Sequence, residues 1–264
     1  MQQAGLAERM GEAAYALYYE LRYMLYLLSE SVYWSTIGRF DKMRLPFKGA
    51  FSLQMVRLGS TAVTIVFMLN FLIGLTLSFQ SAVQLELFGA GVFLVRGIAI
   101  TMFMEVGPLI TAIILSGRSG SSITAEISSM VVQEEVKALR VMGIHPVQYL
   151  VLPRFQAMSI ATPMLTIIAN FAGIIAGFLV ASLYVGIPTS LFISELRESL
   201  SVVILAKSLF KSLVFGWIIV LVAVSKGLSV RGGADAVGAA TTKCVVFSIT
   251  AIILANAVFS FVFY

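Results

Sequence analysis

The sequence predicts an all-α integral membrane protein, with an N-terminal interfacial amphipathic helix followed by five transmembrane helices. Of its 264 residues, 59% are hydrophobic and 12% are charged, and the mean hydropathy is +0.97. Soluble domains carry about 25% charged residues, so this charge content is too low for a soluble surface. Residues 58–85, 155–194 and 244–264 contain no charge, and each stretch exceeds the about 20 residues that a transmembrane helix needs. They lack the polar–apolar alternation of barrel strands, which favours helices.

The first predicted element is an amphipathic helix over residues 12–40 that lies on the membrane surface. Six of the nine tyrosines fall within residues 15–33. Tyrosine favours the membrane–water interface because its ring is apolar and its hydroxyl group is polar. Glu20, Arg22 and Glu30 would be costly in the hydrocarbon core, which disfavours the alternative, a sixth spanning helix.

Five spans follow, and residues 1–264 form a single membrane domain. The predicted spans cover residues 58–80, 93–115, 155–183, 202–224 and 244–263. Seven basic residues precede the first span, none lies between the first two, four lie before the third, one before the fourth and three before the fifth. Lysine and arginine are enriched in cytoplasmic loops, so we expect a cytoplasmic N-terminus and a periplasmic C-terminus.

An acidic residue, Glu105, lies inside the second predicted span. Such a side chain usually faces the bundle interior or a water-filled cavity, because it costs about 3 kcal/mol or more in lipid. Pro108 lacks an N–H group and predicts a helix kink beside this carboxylate, which suggests a binding cavity. The alternative is a structural ion pair with Arg96, Lys207 or Lys211. The two lysines either snorkel to the far surface or line an entrance that attracts anions.

A short cytoplasmic coupling helix is predicted over residues 130–143, between the second and third spans. Its apolar residues recur at helical spacing: Val132, Val136, Leu139 and Met142. Gly143 and Pro146 are typical of a helix end. Such a helix can dock into a groove on a soluble partner. The alternative is a helix that lies on its own membrane surface.

The residues that enzymes use for catalysis do not form any familiar set in this sequence. We find no serine–histidine–acid set, no paired catalytic carboxylates and no metal-binding cluster, and Cys244 and His145 are each the single residue of their kind. Residues 117–122 lack the ending of a nucleotide-binding phosphate loop. We therefore expect a non-catalytic protein that moves a substrate and has no cofactor of its own. If this transport needs ATP, a separate chain must supply the hydrolysis.

Two blocks of the sequence resemble the MlaE/YrbE permeases of MCE-type lipid ABC transporters. The first block comprises residues 105–112 (EVGPLITA), 117–118 (GR), 125–127 (AEI) with Met130, 134–139 (EEVKAL), 142–144 (MGI) with Pro146, 149–151 (YLV) and 153–154 (PR). The second comprises residues 211–212 (KS), 215–216 (FG), 232–234 (GGA), 237–238 (VG) and 240–242 (ATT). The similarity extends from about residue 46 to the C-terminus. Met104 replaces a frequent arginine of the family, and Lys137 replaces a frequent aspartate.

The resemblance implies a homodimer in the bacterial inner membrane that binds two cytoplasmic ABC ATPases, a periplasmic MCE-domain protein and a STAS-domain subunit. ATP and Mg would bind to the ATPase. The complex would move phospholipid between the inner membrane and the MCE carrier and so contribute to outer-membrane lipid homeostasis. The alternatives are a sterol or another hydrophobic substrate, an ion-coupled secondary transporter that uses Glu105, and a scaffold that anchors soluble partners.

The resemblance and the placement within the spans also assign residues to two roles. The lipid cavity would involve Glu105, Arg96, Phe103, Leu72, Leu75 and Phe79, with the kink at Pro108. Coupling to the ATPase would involve Glu134, Glu135, Val136, Leu139, Arg140, Met142 and Gly143.

Overall fold

The computed structural model describes residues 6–36, 48–87, 90–91 and 93–263, and all regular structure in these ranges is helical. The α-helices in these ranges are α1 (Leu6–Thr36), α2 (Lys48–Leu58), α3 (Val63–Leu87), α4 (Phe93–Thr101), α5 (Gly107–Leu115), α6 (Ser121–Val132), α7 (Glu135–Val141), α8 (Leu152–Leu183), α9 (Thr189–Ser199), α10 (Val202–Leu228) and α11 (Ala234–Phe263). Single π-helical turns cover Met102–Val106, Ser116–Gly120 and Val147–Val151.

Five continuous helical segments are long and apolar enough to cross a membrane. They are span 1 (Phe51–Leu87), span 2 (Phe93–Val132), span 3 (Val147–Leu183), span 4 (Val202–Leu228) and span 5 (Ala234–Phe263). This confirms the all-α membrane fold. α7 joins spans 2 and 3, whereas α9 joins spans 3 and 4, so the bundle has an α7 end and an α9 end.

α1 corresponds to the predicted interfacial helix and is not among these five segments. It packs against α8, α10 and the π-helical turn Val147–Val151, and it buries Leu27 and Ser31. Several of its tyrosine side chains remain exposed, including Tyr18 and Tyr26. The predicted helix end at residues 37–40 lies outside the described residues, as do Arg39, Lys42 and Arg44, three of the basic residues that precede span 1.

All five spans extend past the predicted apolar segments, most clearly span 2. The sequence predicts its end at residue 115, but the helix continues to Val132 through a π-helical turn. Packing explains this continuation, because Thr124 donates a hydrogen bond to the Ala223 carbonyl oxygen at 3.2 Å. Gly120 also lies against Ile219 of span 4. Hydropathy thus marks the most apolar part of the helix rather than its end.

The break between α6 and α7 falls at Glu134, whose φ of 61° is left-handed and interrupts the helix. The predicted helix over residues 130–143 is therefore divided between the end of α6 and α7. At the other end, the Gly143 N–H donates to the Arg140 carbonyl oxygen (3.0 Å) and the Ile144 N–H to the Leu139 carbonyl oxygen (2.9 Å). These two bonds form a Schellman cap, in which Gly143 takes the left-handed conformation.

Span 3 lies at the centre of the bundle and packs against α2, α3, α5 and α10. Small residues bring it close to span 1, because a Cβ atom on Gly74 would lie 2.7 Å from the Gly173 Cα atom. A side chain at Gly74 would therefore push the two helices apart, whereas one at Gly173 would collide with the Met102 side chain of span 2. This contact holds span 1 against the bundle while the opposite face of span 1 stays exposed.

Candidate functional site

The centre of the candidate site is Glu105, which lies on the π-helical turn of span 2. Its carboxylate accepts hydrogen bonds from Lys211 Nζ at 2.9 Å, Asn256 Nδ2 at 3.0 Å and Ser260 Oγ at 2.6 Å. Lys211 belongs to span 4, whereas Asn256 and Ser260 lie one turn apart on span 5. A single carboxylate therefore joins three spans. We call Glu105, Lys211, Asn256 and Ser260 the polar cluster.

Pro108 accounts for a second contact in the polar cluster. A proline has no N–H group, so Pro108 cannot donate to the carbonyl oxygen of Met104, four residues before it. Lys211 Nζ donates to that carbonyl oxygen at 2.9 Å. The lysine thus satisfies both a backbone acceptor and a carboxylate, although it is only 1% exposed. Glu105 supplies the carboxylate acceptor, and Pro108 leaves the Met104 carbonyl oxygen without the N–H group of residue 108. The short motif from Glu105 to Pro108 therefore accounts for both acceptors of Lys211.

Span 3 brings a further polar side chain next to the polar cluster. Gly107 has no side chain, and a Cβ atom there would collide with the Asn170 amide oxygen. Asn170 is buried and donates from Nδ2 to Ser208 Oγ of span 4 at 3.3 Å. Gly107 is therefore required for the close approach of Asn170 to span 2.

The Glu105 side chain is 25% exposed, whereas the Lys211 side chain is 2% exposed. Of the three cations considered as partners of Glu105, the structure pairs it with Lys211. Lys207 instead donates to the Phe263 carbonyl oxygen at 3.0 Å. Arg96 is exposed on α4 and forms no ion pair with the described residues. One side of the Glu105 carboxylate is thus hydrogen-bonded to spans 4 and 5, and its other side is accessible.

A groove with a volume of about 330 Å³ lies between spans 1 and 2, near their α9 end. Its walls are mainly apolar, and its few polar side chains include Ser81, Gln84 and Thr101. Thr101 lies one turn before Glu105. This volume falls within the range of small-ligand pockets, about 300–1,000 Å³, and the mixed lining suits an amphipathic molecule.

None of the residues assigned to the lipid cavity from sequence, Glu105 and Arg96 included, belongs to the lining of this groove. Leu72, Leu75 and Phe79 are exposed on a neighbouring face of span 1, and the Phe79 ring packs 4.9 Å from the Tyr184 ring. Phe103 is buried within the bundle. The groove lining instead comes from Gly74, Leu77, Ser81 and other residues on the adjacent helical face.

Asn256 and Ser260 were not anticipated from sequence, nor was the groove residue Thr101. Asn256 and Ser260 lie four residues apart in an otherwise apolar span, and such a pair occupies one helical face. That spacing is the signal that could have identified span 5 as a partner of Glu105.

The residues assigned to ATPase coupling divide into two groups. Val136 and Leu139 are buried against Leu150 of span 3 and hold α7 on the bundle. The exposed group comprises Glu134, Glu135, Arg140, Met142 and Gly143. The apolar side chains available to a partner are at the end of α7, where Met142 is 64% exposed and Val141, not anticipated from sequence, is 88% exposed.

Charges on α7 are partly compensated within the helix. Lys137 Nζ lies 2.5 Å from Glu134 Oε1. The hydrogen bond and the positive charge of Lys137 hold the pKa of Glu134 below its usual value. Arg140 has no such partner among the described residues.

Comparison with known proteins places this arrangement in a family. Residues 51–262 match the permease MlaE family. A probable ABC transporter permease of Synechocystis is 33% identical over 203 residues, which is 77% of each chain. A similar protein of Rickettsia typhi is 32% identical over 77% of this chain and 78% of its own length. The Arabidopsis thaliana protein TRIGALACTOSYLDIACYLGLYCEROL 1, chloroplastic, is 30% identical over 80% of this chain and 60% of its own length.

The match includes all five spans, the polar cluster and α7. The protein is therefore a multi-pass membrane protein and a transmembrane permease subunit, as the resemblance predicts. The chain belongs to the MlaE permease family.

Proposed function

We propose that this chain is the permease of an ABC transporter that moves phospholipid between the bacterial inner membrane and a periplasmic MCE-protein carrier, as part of outer-membrane lipid homeostasis. The observation that carries the proposal is the groove between spans 1 and 2. Its apolar walls suit acyl chains, and the Ser81, Gln84 and Thr101 side chains suit a polar headgroup. The Arabidopsis relative is named for a galactolipid, which supports a lipid substrate.

A second copy of the chain would complete the site. The open side of Glu105 would otherwise face hydrocarbon, where a carboxylate is costly. Span 5 also exposes large apolar side chains along most of its length, including Leu254, Val258 and Phe261. In the proposed homodimer, the two grooves and polar clusters would enclose one lipid pathway between the subunits.

The proposed orientation has the α7 end in the cytoplasm of a bacterial inner-membrane protein. The basic residues favour it, because Lys137, Arg140, Lys226 and Arg231 lie at the α7 end whereas the α9 connection has only Arg197. The exposed end of α7 would dock on an ABC ATPase, which binds ATP and Mg. An MCE-domain protein would bind at the α9 end, and a STAS-domain subunit would join the ATPase.

Filling the groove tests this function. Gly97 lines it, and nothing lies within 4 Å of a Cβ atom built there, so Gly97→Trp can occupy the groove without displacing the bundle. The control is Phe93→Trp, one turn earlier on the same helix at an exposed position outside the groove. We would reconstitute each permease with its ATPase and MCE protein and measure ATP-dependent transfer of labelled phospholipid.

We expect Gly97→Trp to reduce transfer at least tenfold and Phe93→Trp to leave it near wild type. Equal transfer by both variants would exclude the groove as the lipid path. Transfer of labelled sterol but not of phospholipid would show that the substrate is a sterol. Transfer driven by a proton gradient without ATP would reject the ABC mechanism.

A further inference from the structure

A second cavity, of about 410 Å³, lies at the α7 end between α1 and the loop that follows α7. Tyr23 and Tyr26 of α1 form one wall, and Arg140 and His145 form the other. Its floor includes Val147 and Leu228. The cavity is separate from the groove and the polar cluster, which share no lining residue with it.

The depth of this cavity matches that of lipid headgroups. Val147 is the first residue of span 3 and Leu228 is the last residue of span 4, so the floor is where two apolar spans end. Tyrosines are enriched at this level because the ring is apolar and the hydroxyl is polar. A ligand would therefore meet an apolar floor below and polar side chains above.

Besides the two tyrosines, the charged or titratable groups around the cavity are Arg140, His145 and Glu30. His145 Nε2 lies 3.3 Å from Glu30 Oε1, a contact that is an ion pair only when the imidazole is protonated. Arg140 is exposed and forms no ion pair in the described ranges. The pKa of Tyr23 is raised, mainly by burial, and the positive charge of Arg140 partly opposes that increase. The positive charge of Arg140 is therefore close enough to affect the Tyr23 side chain, which lines the same cavity.

An arginine with free N–H donors beside tyrosine hydroxyls is chemistry that binds a phosphate group, since a guanidinium group can bind two phosphate oxygens at once. The apolar floor favours a phosphate that carries a hydrocarbon portion over a free ion. In the orientation of the proposed function, the cavity faces the cytoplasmic leaflet, in which anionic lipids create a negative surface potential.

We infer that this cavity binds the headgroup of an anionic phospholipid, with Arg140 as its main contact and the glyceride portion on Val147 and Leu228. The bound lipid links α1 to α7, since Arg140 belongs to α7 and Tyr23 and Tyr26 belong to α1. The position of α7 then depends on the composition of the surrounding membrane. This site is distinct from the transport pathway.

The test uses the full-length permease without ATPase or ATP, so that lipid retention does not depend on transport or on docking. We would incubate it with phosphatidylglycerol or phosphatidylcholine in mixed micelles and count retained lipids by native mass spectrometry. The variant is Arg140→Gln. The matched control is Lys137→Gln, which removes a positive charge from the same helix, but one already paired with Glu134.

We expect the wild type and Lys137→Gln to retain phosphatidylglycerol in preference to phosphatidylcholine, and Arg140→Gln to lower that retention about tenfold, as the loss of one charge-assisted contact predicts. Ile144→Trp keeps the charge but fills the cavity, in whose wall Ile144 lies, and should lower retention equally. Equal losses in Arg140→Gln and Lys137→Gln, or no loss in either Arg140→Gln or Ile144→Trp, would overturn the inference.

Two further arms separate the possible sources of phosphate and the two lipid sites. Competition by millimolar inorganic phosphate would indicate a free-phosphate site and reject the lipid. Gly97→Trp, which fills the transport groove, should leave the Arg140-dependent retention unchanged. If Gly97→Trp abolished it, the retained lipid would belong to the groove. If transport fails while the Arg140-dependent lipid retention is intact, only the proposed function is rejected.

Discussion

Lys211 is almost fully buried, so its ammonium group depends on the oxygen atoms of Glu105 and Met104. Removing one member of a buried ion pair leaves an uncompensated charge and typically costs about 3–5 kcal/mol. Glu105→Leu should fall at the lower end of that range, because the Glu105 side chain is partly exposed. We expect a clearly lower melting temperature in detergent, together with impaired lipid transport.

A double-mutant cycle separates the structural role of this pair from its role in transport. In Glu105→Leu/Lys211→Met both charges are replaced by apolar groups of similar size, and such replacements are often neutral for stability. We expect the double variant to recover most of the lost stability, which corresponds to a coupling energy of about 1–3 kcal/mol. If it also recovers transport, the pair serves only to join the spans. If transport stays impaired, Glu105 acts on the lipid.

The polar cluster was only partly predictable, for a reason that lies at the level of single residues. Glu105 and Lys211 are conspicuous because charges in apolar spans are rare. Whether Lys207 or Lys211 faces Glu105 depends on the rotation of span 4 about its axis, which composition does not determine. Asn256 and Ser260 are uncharged and span 5 keeps a high hydropathy, so their spacing is the one sign of their role in the sequence.

Among the elements, α7 allows the sharpest prediction, because one of its faces packs on the bundle and the other is exposed. Leu139 packs on Leu150 of the same chain, so Leu139→Asp should release α7 from the bundle. Val141 is exposed, so Val141→Asp should leave α7 in place and weaken ATPase binding at least tenfold. Hydrogen exchange of α7 amides and ATPase pull-down would distinguish the two. Unchanged exchange in Leu139→Asp, or normal ATPase binding by Val141→Asp, would contradict this division.

The lengths of the elements show where sequence patterns reach their limit. Residues 116–122 consist of four serines, two glycines and an arginine, and this composition indicates a loop. They are nevertheless helical, because span 4 and span 5 pack against them, and Gly120 lies beside Ile219 of span 4 and Cys244 of span 5. Tertiary packing overrides local propensity here. The end of α7 was predictable, because Gly143 is required by its local cap.

At the scale of the whole molecule, two arginines, Arg57 and Arg154, help to hold the spans together. Arg154 was counted from sequence as a loop charge, but it is buried, donates to the Leu150 carbonyl oxygen and lies 2.8 Å from Glu126. Arg57 lies 3.9 Å from the same carboxylate. Glu126 thus joins the α7 ends of spans 1, 2 and 3, whereas Glu105 joins spans 2, 4 and 5. Span 2 carries both carboxylates and links all the spans.

The orientation of the molecule gives the last prediction, since α7 and α9 are separated by one crossing of span 3. The native cysteine, Cys244, is buried and can be replaced by alanine to remove background labelling. Single cysteines would then replace the exposed residues Glu135 of α7 and Glu198 of α9. In spheroplasts with an intact inner membrane, we expect a membrane-impermeant maleimide to label Glu198→Cys at once and Glu135→Cys only after permeabilisation. The reverse pattern would invert the proposed orientation and place α7 where no ATPase can reach it, while labelling of both from outside would mean that span 3 does not cross the membrane.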